Sequence, residues 1–210
     1  MPAARVRLWD PLLRACHLSF ATVFFANYFF NEEGDDWHQW LGYYALGCLL
    51  LRLVWGFVGP RSARWADFWP TRARLAAHAR ALLRGEAYHR LGHSPIGALV
   101  MLAMLGCIAG LGLTGWLSQE VDALWGADWP VDVHSVLANA LLALVCVHVL
   151  AALVESVRLG ENLPWSMITG WRRGPGDRGM GPLCGPIAGQ ARSHADSVLT
   201  GCVGAGLPRD

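Results

Sequence analysis

The sequence predicts an all-α integral membrane protein, a four-helix bundle with both termini cytoplasmic. Of the 210 residues 54% are hydrophobic and 16% charged, and the mean hydropathy is +0.31, more apolar than a soluble domain of this size requires. Four stretches, residues 12–31, 38–58, 96–118 and 133–154, are each long enough to cross a hydrocarbon core about 30 Å thick. The third observation is the placement of charge. The chain has no lysine, and its arginines crowd the N-terminal segment (Arg5, Arg7, Arg14) and the 59–95 connection, while the other two connections hold only acids.

The first stretch follows the arginine-bearing N-terminus and runs outward, serving as its own insertion signal. It is too long for the apolar core of a cleavable leader and lacks a convincing small-residue cleavage site. Glu32, Glu33, Asp35 and Asp36 then form an outer connection, and the second stretch returns. Arg61, Arg64, Arg72, Arg74, Arg80, Arg84 and Arg90 keep the 59–95 connection inside, and its TRARLAAHARALLRG segment reads as a short interfacial helix on anionic headgroups. The third stretch ends at a connection with Glu120, Asp122, Asp128 and Asp132, and the fourth comes back to the inside. Trp37, Trp40, Trp116, Trp125 and Trp129 fall at outer ends; Trp9, Trp55, Trp65, Trp69, Trp165 and Trp171 fall near inner ones. Residues 1–172 make up this transmembrane domain, and 173–210 a tail dense in glycine and proline.

Four histidines lie inside or at the ends of these stretches: His17, His38, His134 and His148. His134 and His148 share one uncharged segment, and fourteen residues of helix separate them by about 21 Å while bringing them within roughly 40° of the same face. The alternating topology sorts the four by depth. His17 and His148 sit toward the inside, His38 and His134 toward the outside, giving two facing imidazole pairs. One intramembrane histidine is as readily explained by a hydrogen bond to a neighbouring helix. Four at two matched depths point to function, and bis-imidazole ligation of a porphyrin metal at each depth suits electron transfer, since no coordination position is left open.

Arg52 follows His38 by the same fourteen positions and returns to that helical face near the inner surface. Two roles stand open for it, a counter-charge for a haem propionate or a side chain snorkelling to the inner headgroups. The third stretch carries Gly97, Gly106, Gly110, Gly112 and Gly115, whose Gly106-to-Gly110 spacing fits close helix packing or room for a porphyrin. Cys16, Cys48, Cys107 and Cys146 are spread singly with no CxxC or CxxCH, so covalent haem, iron–sulfur and structural zinc sites lack their spacing. Nothing in the chain suggests nucleic-acid binding.

The segments RLWDPLLRACHLSF, WHQWLGYYALGCLLLRLVWGFVGPRSARWADF, GHSPIGAL, HSVLANALLALVCVHV and ENLPWSMITG resemble, in order and across roughly residues 5–172, the bacterial di-haem cytochrome b561 family, which includes the cytochrome b subunits of nickel-iron hydrogenases. The resemblance implies two b-type haems held by His17, His38, His134 and His148 in a multi-pass protein of the bacterial inner membrane. It implies electron exchange between the quinone pool and a periplasmic or membrane redox partner, such as a cytochrome c or a hydrogenase-like subunit. A superoxide:quinone oxidoreductase is the alternative within the same family, ranked lower because the outer loops are acidic. His93 matches a family position of unassigned role, and RLGENL at 158–163 departs from relatives that carry a histidine and arginine there.

Overall fold

The computed structural model describes residues 5–84 and 94–173. Along the chain come β1 (Arg5–Arg7), α1 (Pro11–Phe29), α2 (Asp36–Val58), α3 (Trp65–Phe68), α4 (Arg72–Leu83), α5 (Pro95–Glu120), α6 (Trp129–Leu159), α7 (Leu163–Thr169) and β2 (Trp171–Arg173). α2, α5 and α6 are long and apolar enough to cross a membrane. α1, the remaining expected span, has 19 residues and is diluted by Arg14, His17, Ser19 and Asn27. His89, His93, His194 and the tail from 174 onward lie outside the described residues.

The long helices begin earlier than the apolar runs suggest, and in α1 and α5 side-chain caps set the start. The Asp10 carboxylate accepts from Leu13 N at 2.9 Å and Pro11 opens α1; Ser94 accepts from Gly97 N at 3.1 Å ahead of Pro95. α6 runs 31 residues from Trp129 and stops at Gly160, whose φ of +59° terminates it in the left-handed region. At 1.5 Å per residue it is about 46 Å long, more than the roughly 30 Å apolar slab, so its ends project beyond it.

α1 packs on α2, α2 on α5 and α5 on α6. Glycine permits two of these approaches: a Cβ at Gly110 would lie 2.7 Å from Leu137 of α6, and one at Gly112 would collide with Leu46 of α2. Gly106 faces open space. α6 therefore lies close on α5 and stands back from α1 and α2. The outward faces, with Leu50, Phe57, Val136 and Leu150 exposed, are apolar all round, as contact with lipid tails requires.

The all-α expectation needs one correction. β1 and β2 pair antiparallel, with Arg5 opposite Arg173 and Arg7 opposite Trp171, so Arg173 ends a strand and is not the first residue of the tail. Three-residue strands carry no periodic signal. The pairing places residues 5–7 and 171–173 at one end of the helices, called here the terminal end. Trp9, Leu13 and Ala63 are buried together there, flanked by Leu8, Trp55 and Met167. Trp9 and Trp55, expected at the membrane interface, instead fill this plug: Trp55 Nε1 donates to Asp10 at 3.2 Å and Trp9 Nε1 to Ser166 at 3.4 Å. The Arg14 guanidinium donates to the Met167 carbonyl at 3.1 Å and to that of Ile168, closing the last turn of α7.

α4 is the expected helix of the 59–95 connection, and it packs against α5 with His78 buried at 7% exposure. Burial holds the His78 imidazole below its ordinary value, with the Glu155 carboxylate pulling the other way. A folded-state value below the unfolded one means stability that is complete above pH about 6.5 and is lost as the pH falls through and below it. Amide protection of α4, corrected for intrinsic exchange, should therefore drop as the pH falls below about 6.5, and His78→Leu should abolish that drop. Protection that stays constant in the unaltered protein would contradict this.

Candidate functional site

Two pairs of imidazoles face each other across the gaps that α6 leaves. His17 of α1 and His148 of α6 have ring centroids 6.3 Å apart; His38 of α2 and His134 of α6 have theirs 5.9 Å apart. Both pairs are tilted at 51°. A metal bonded to two imidazoles at about 2 Å from each nitrogen, with each ring centre about 1.1 Å behind, would set the centroids about 6 Å apart. Both pairs meet that spacing. Among the described residues Nδ1 of His17 and Nδ1 of His38 are buried without a hydrogen-bond partner, a cost of about 1–3 kcal/mol for a polar atom in an apolar surrounding. No group of three or more metal-binding side chains occurs among the described residues, so the donor set is two imidazoles per site. That set suits a metal whose remaining positions a macrocycle already fills.

The space at the His38–His134 pair, distal to the terminal end, is adequate. A cavity of about 880 Å³ opens between α1, α2, α5 and α6, with His38, His134, Gly112, Gly115, Ile108 and Leu141 in its wall, within the roughly 300–1,000 Å³ of small-molecule and cofactor sites. Its mouth is polar and acidic, with Glu32, Glu33 and Gln39. Hydrogen bonds hold the wall in register. Asn27 donates to the His38 carbonyl at 3.1 Å, fixing α1 to the first turn of α2, and Tyr28 donates to Asn139 at 2.8 Å, bridging α1 and α6 across the gap.

The structure brings the four sequence-expected histidines together in the expected pairs, each ring half-buried. Of the two roles open to Arg52, its burial argues against the snorkelling one. It is 5% exposed, its guanidinium stacked 4.5 Å above the Trp65 ring and within electrostatic reach of Cys16 and Asp10. It therefore does not snorkel through lipid to the headgroups. Stacking on an indole is worth about 2 kcal/mol when desolvated. Trp65 in turn donates to the Leu53 carbonyl at 3.1 Å and lies flat over Gly56, where any Cβ would run into the indole.

Two residues were missed in the sequence. Trp65 was assigned to the interface, and its indole instead covers Arg52. Thr114, 5% exposed on α5, places its hydroxyl 3.0 Å from His134 Nδ1. A hydroxyl in a glycine-rich apolar run, at the depth of a histidine on the next helix, was the available signal.

The family model for prokaryotic cytochrome b561 matches residues 8–170. No curated protein and no solved structure matches the chain.

Gly56→Ala should force the Trp65 indole off α2 and unstack Arg52, destabilising the protein by about 1–3 kcal/mol, the usual cost of overpacking. Thermal unfolding in detergent reads this as a lowered Tm. An unchanged Tm would show that the indole does not depend on the bare backbone at 56.

Proposed function

The chain belongs to the prokaryotic cytochrome b561 family, membrane-embedded haem b electron-transfer proteins, and on that premise we propose that it holds two haems and passes electrons between the quinone pool and a periplasmic or membrane redox partner. Four helices would span, α1 included, with both termini and the arginine-rich 59–95 connection cytoplasmic in a bacterial inner membrane. His17 with His148, and His38 with His134, would each hold one haem iron. The observation that carries this reading is the pair of centroid separations, 6.3 Å and 5.9 Å, repeated at two depths fourteen residues apart on α6. Bound b-type haem would supply one-electron chemistry, and two imidazole ligands to each would leave no site for oxygen.

The protein's own groups do the rest. The histidines would hold and orient each haem across a gap between helices. Apolar lining from Val23, Leu46, Ile108 and Leu141 excludes water at the distal site, and low polarity there strengthens the effect of any nearby charge. Arg52 is a counter-charge for a propionate near the cytoplasmic site, held ready by Trp65. On the distal face Glu32, Glu33, Asp35 and Asp36 attract a positively charged redox partner, such as a basic cytochrome c. Glu32 and Glu33 line the cavity mouth, which disfavours an anionic substrate such as superoxide.

Pyridine haemochrome quantitation of the purified protein should give two non-covalent b-type haems per chain, and His134→Ala and His148→Ala should each reduce the count to one. A wild-type count of none or one, or either variant keeping both, would contradict the assignment. Arg52→Leu should lower the midpoint potential of one haem, because removing a positive charge favours the ferric form. Unchanged potentials would remove Arg52 from the site.

A further inference from the structure

We propose that Thr114 is a positioning residue for His134: its hydroxyl holds the imidazole in the form protonated at Nδ1 and leaves the other nitrogen's lone pair free for the distal metal. The inference rests on His134 being an axial ligand and goes beyond it by fixing which nitrogen is free and how strongly it donates.

A threonine hydroxyl has one hydrogen and two lone pairs. Thr114 Oγ1 lies 2.8 Å from the Gly110 carbonyl and 3.2 Å from that of Leu111, both acceptors only, so its hydrogen is committed to its own helix, the back-bonding typical of threonine within a helix. What remains for His134 Nδ1, at 3.0 Å, is a lone pair. The Nδ1 atom must then bring the hydrogen. The ring lies against α5, where a Cβ at Gly115 would sit 3.5 Å from His134 Cε1, so the contact is built into the α5–α6 packing.

The four imidazoles are not equivalent in this respect. Nδ1 of His17 and Nδ1 of His38 are buried with no such acceptor among the described residues. An imidazole that donates through its second nitrogen becomes a more basic ligand and its ring is locked in orientation. More electron density at iron favours the ferric state. The distal site is therefore held at a lower potential than it would have without the hydroxyl.

The test compares purified holoprotein carrying Thr114→Val, which keeps the shape without the hydroxyl, and Thr114→Ser, which keeps the hydroxyl. The distal haem is identified as the one lost in His134→Ala. In Thr114→Val its midpoint potential should rise, its low-spin electron paramagnetic resonance g values should shift, and its affinity should fall about tenfold; the other haem should not change, and Thr114→Ser should restore all three. Should Thr114→Val fail to fold, Thr114→Ala gives the same readouts. Potential and g values unchanged in Thr114→Val, or an equal shift in Thr114→Val and Thr114→Ser, would overturn the hydroxyl's role while leaving His134 as ligand. Retention of both haems in His134→Ala would overturn the ligand reading and this inference with it.

Discussion

Imidazole rings in an apolar bundle need polar partners, and the arrangement of this protein follows from how α6 presents two of them. His134 and His148 share a face of one helix, so every other element is constrained to leave room opposite that face at two depths. The glycines of α5 meet the requirement indirectly. Gly110 lets Leu137 of α6 press in and Gly112 lets Leu46 of α2 do the same, so α5 acts as a spine between α2 and α6. With α5 wedged there, α6 stands back from α1 and α2, and the two gaps are where His17 and His38 point. Close packing on one side produces the open space on the other.

The two ends of the bundle are built by different means. At the terminal end a plug of Trp9, Leu13, Ala63 and Trp55 is stitched by Asp10, which caps α1 and accepts from Trp55, and by Arg14, which seals α7. The short β1–β2 pairing ties the start of the domain to its end. Among the described residues the distal end has no such plug. Its cavity is held open by single hydrogen bonds from Asn27 and Tyr28 and is lined toward the mouth by acids, an arrangement suited to a cofactor edge that a partner must approach.

The histidine pairing was legible in the sequence because it depends only on helical rise and on which way each span runs, both set by apolar length and arginine placement. Helix ends were less legible. α6 extends to Trp129 and Leu159 through caps and polar turns that an apolar-run criterion passes over, and β1 and β2 are too short for any period to register. Arg52 shows a different limit. Its spacing from His38 gave the right face, but the indole that takes its guanidinium comes from Trp65, beyond the helix end, and only tertiary folding brings it back over Gly56. Thr114 marks the finest limit, since the tautomer of His134 depends on how the Gly110 and Leu111 carbonyls take up the hydrogen of one hydroxyl. His93 and the tail from 174 lie outside the described residues, so what the sequence suggested for them stands as expectation.

The most direct test of the two-site account is anomalous scattering at the iron edge from crystals of the holoprotein. Two iron peaks about 21 Å apart along α6, one between His17 and His148 and the other between His38 and His134, are the predicted result. A single peak, or iron away from either ring pair, would contradict it.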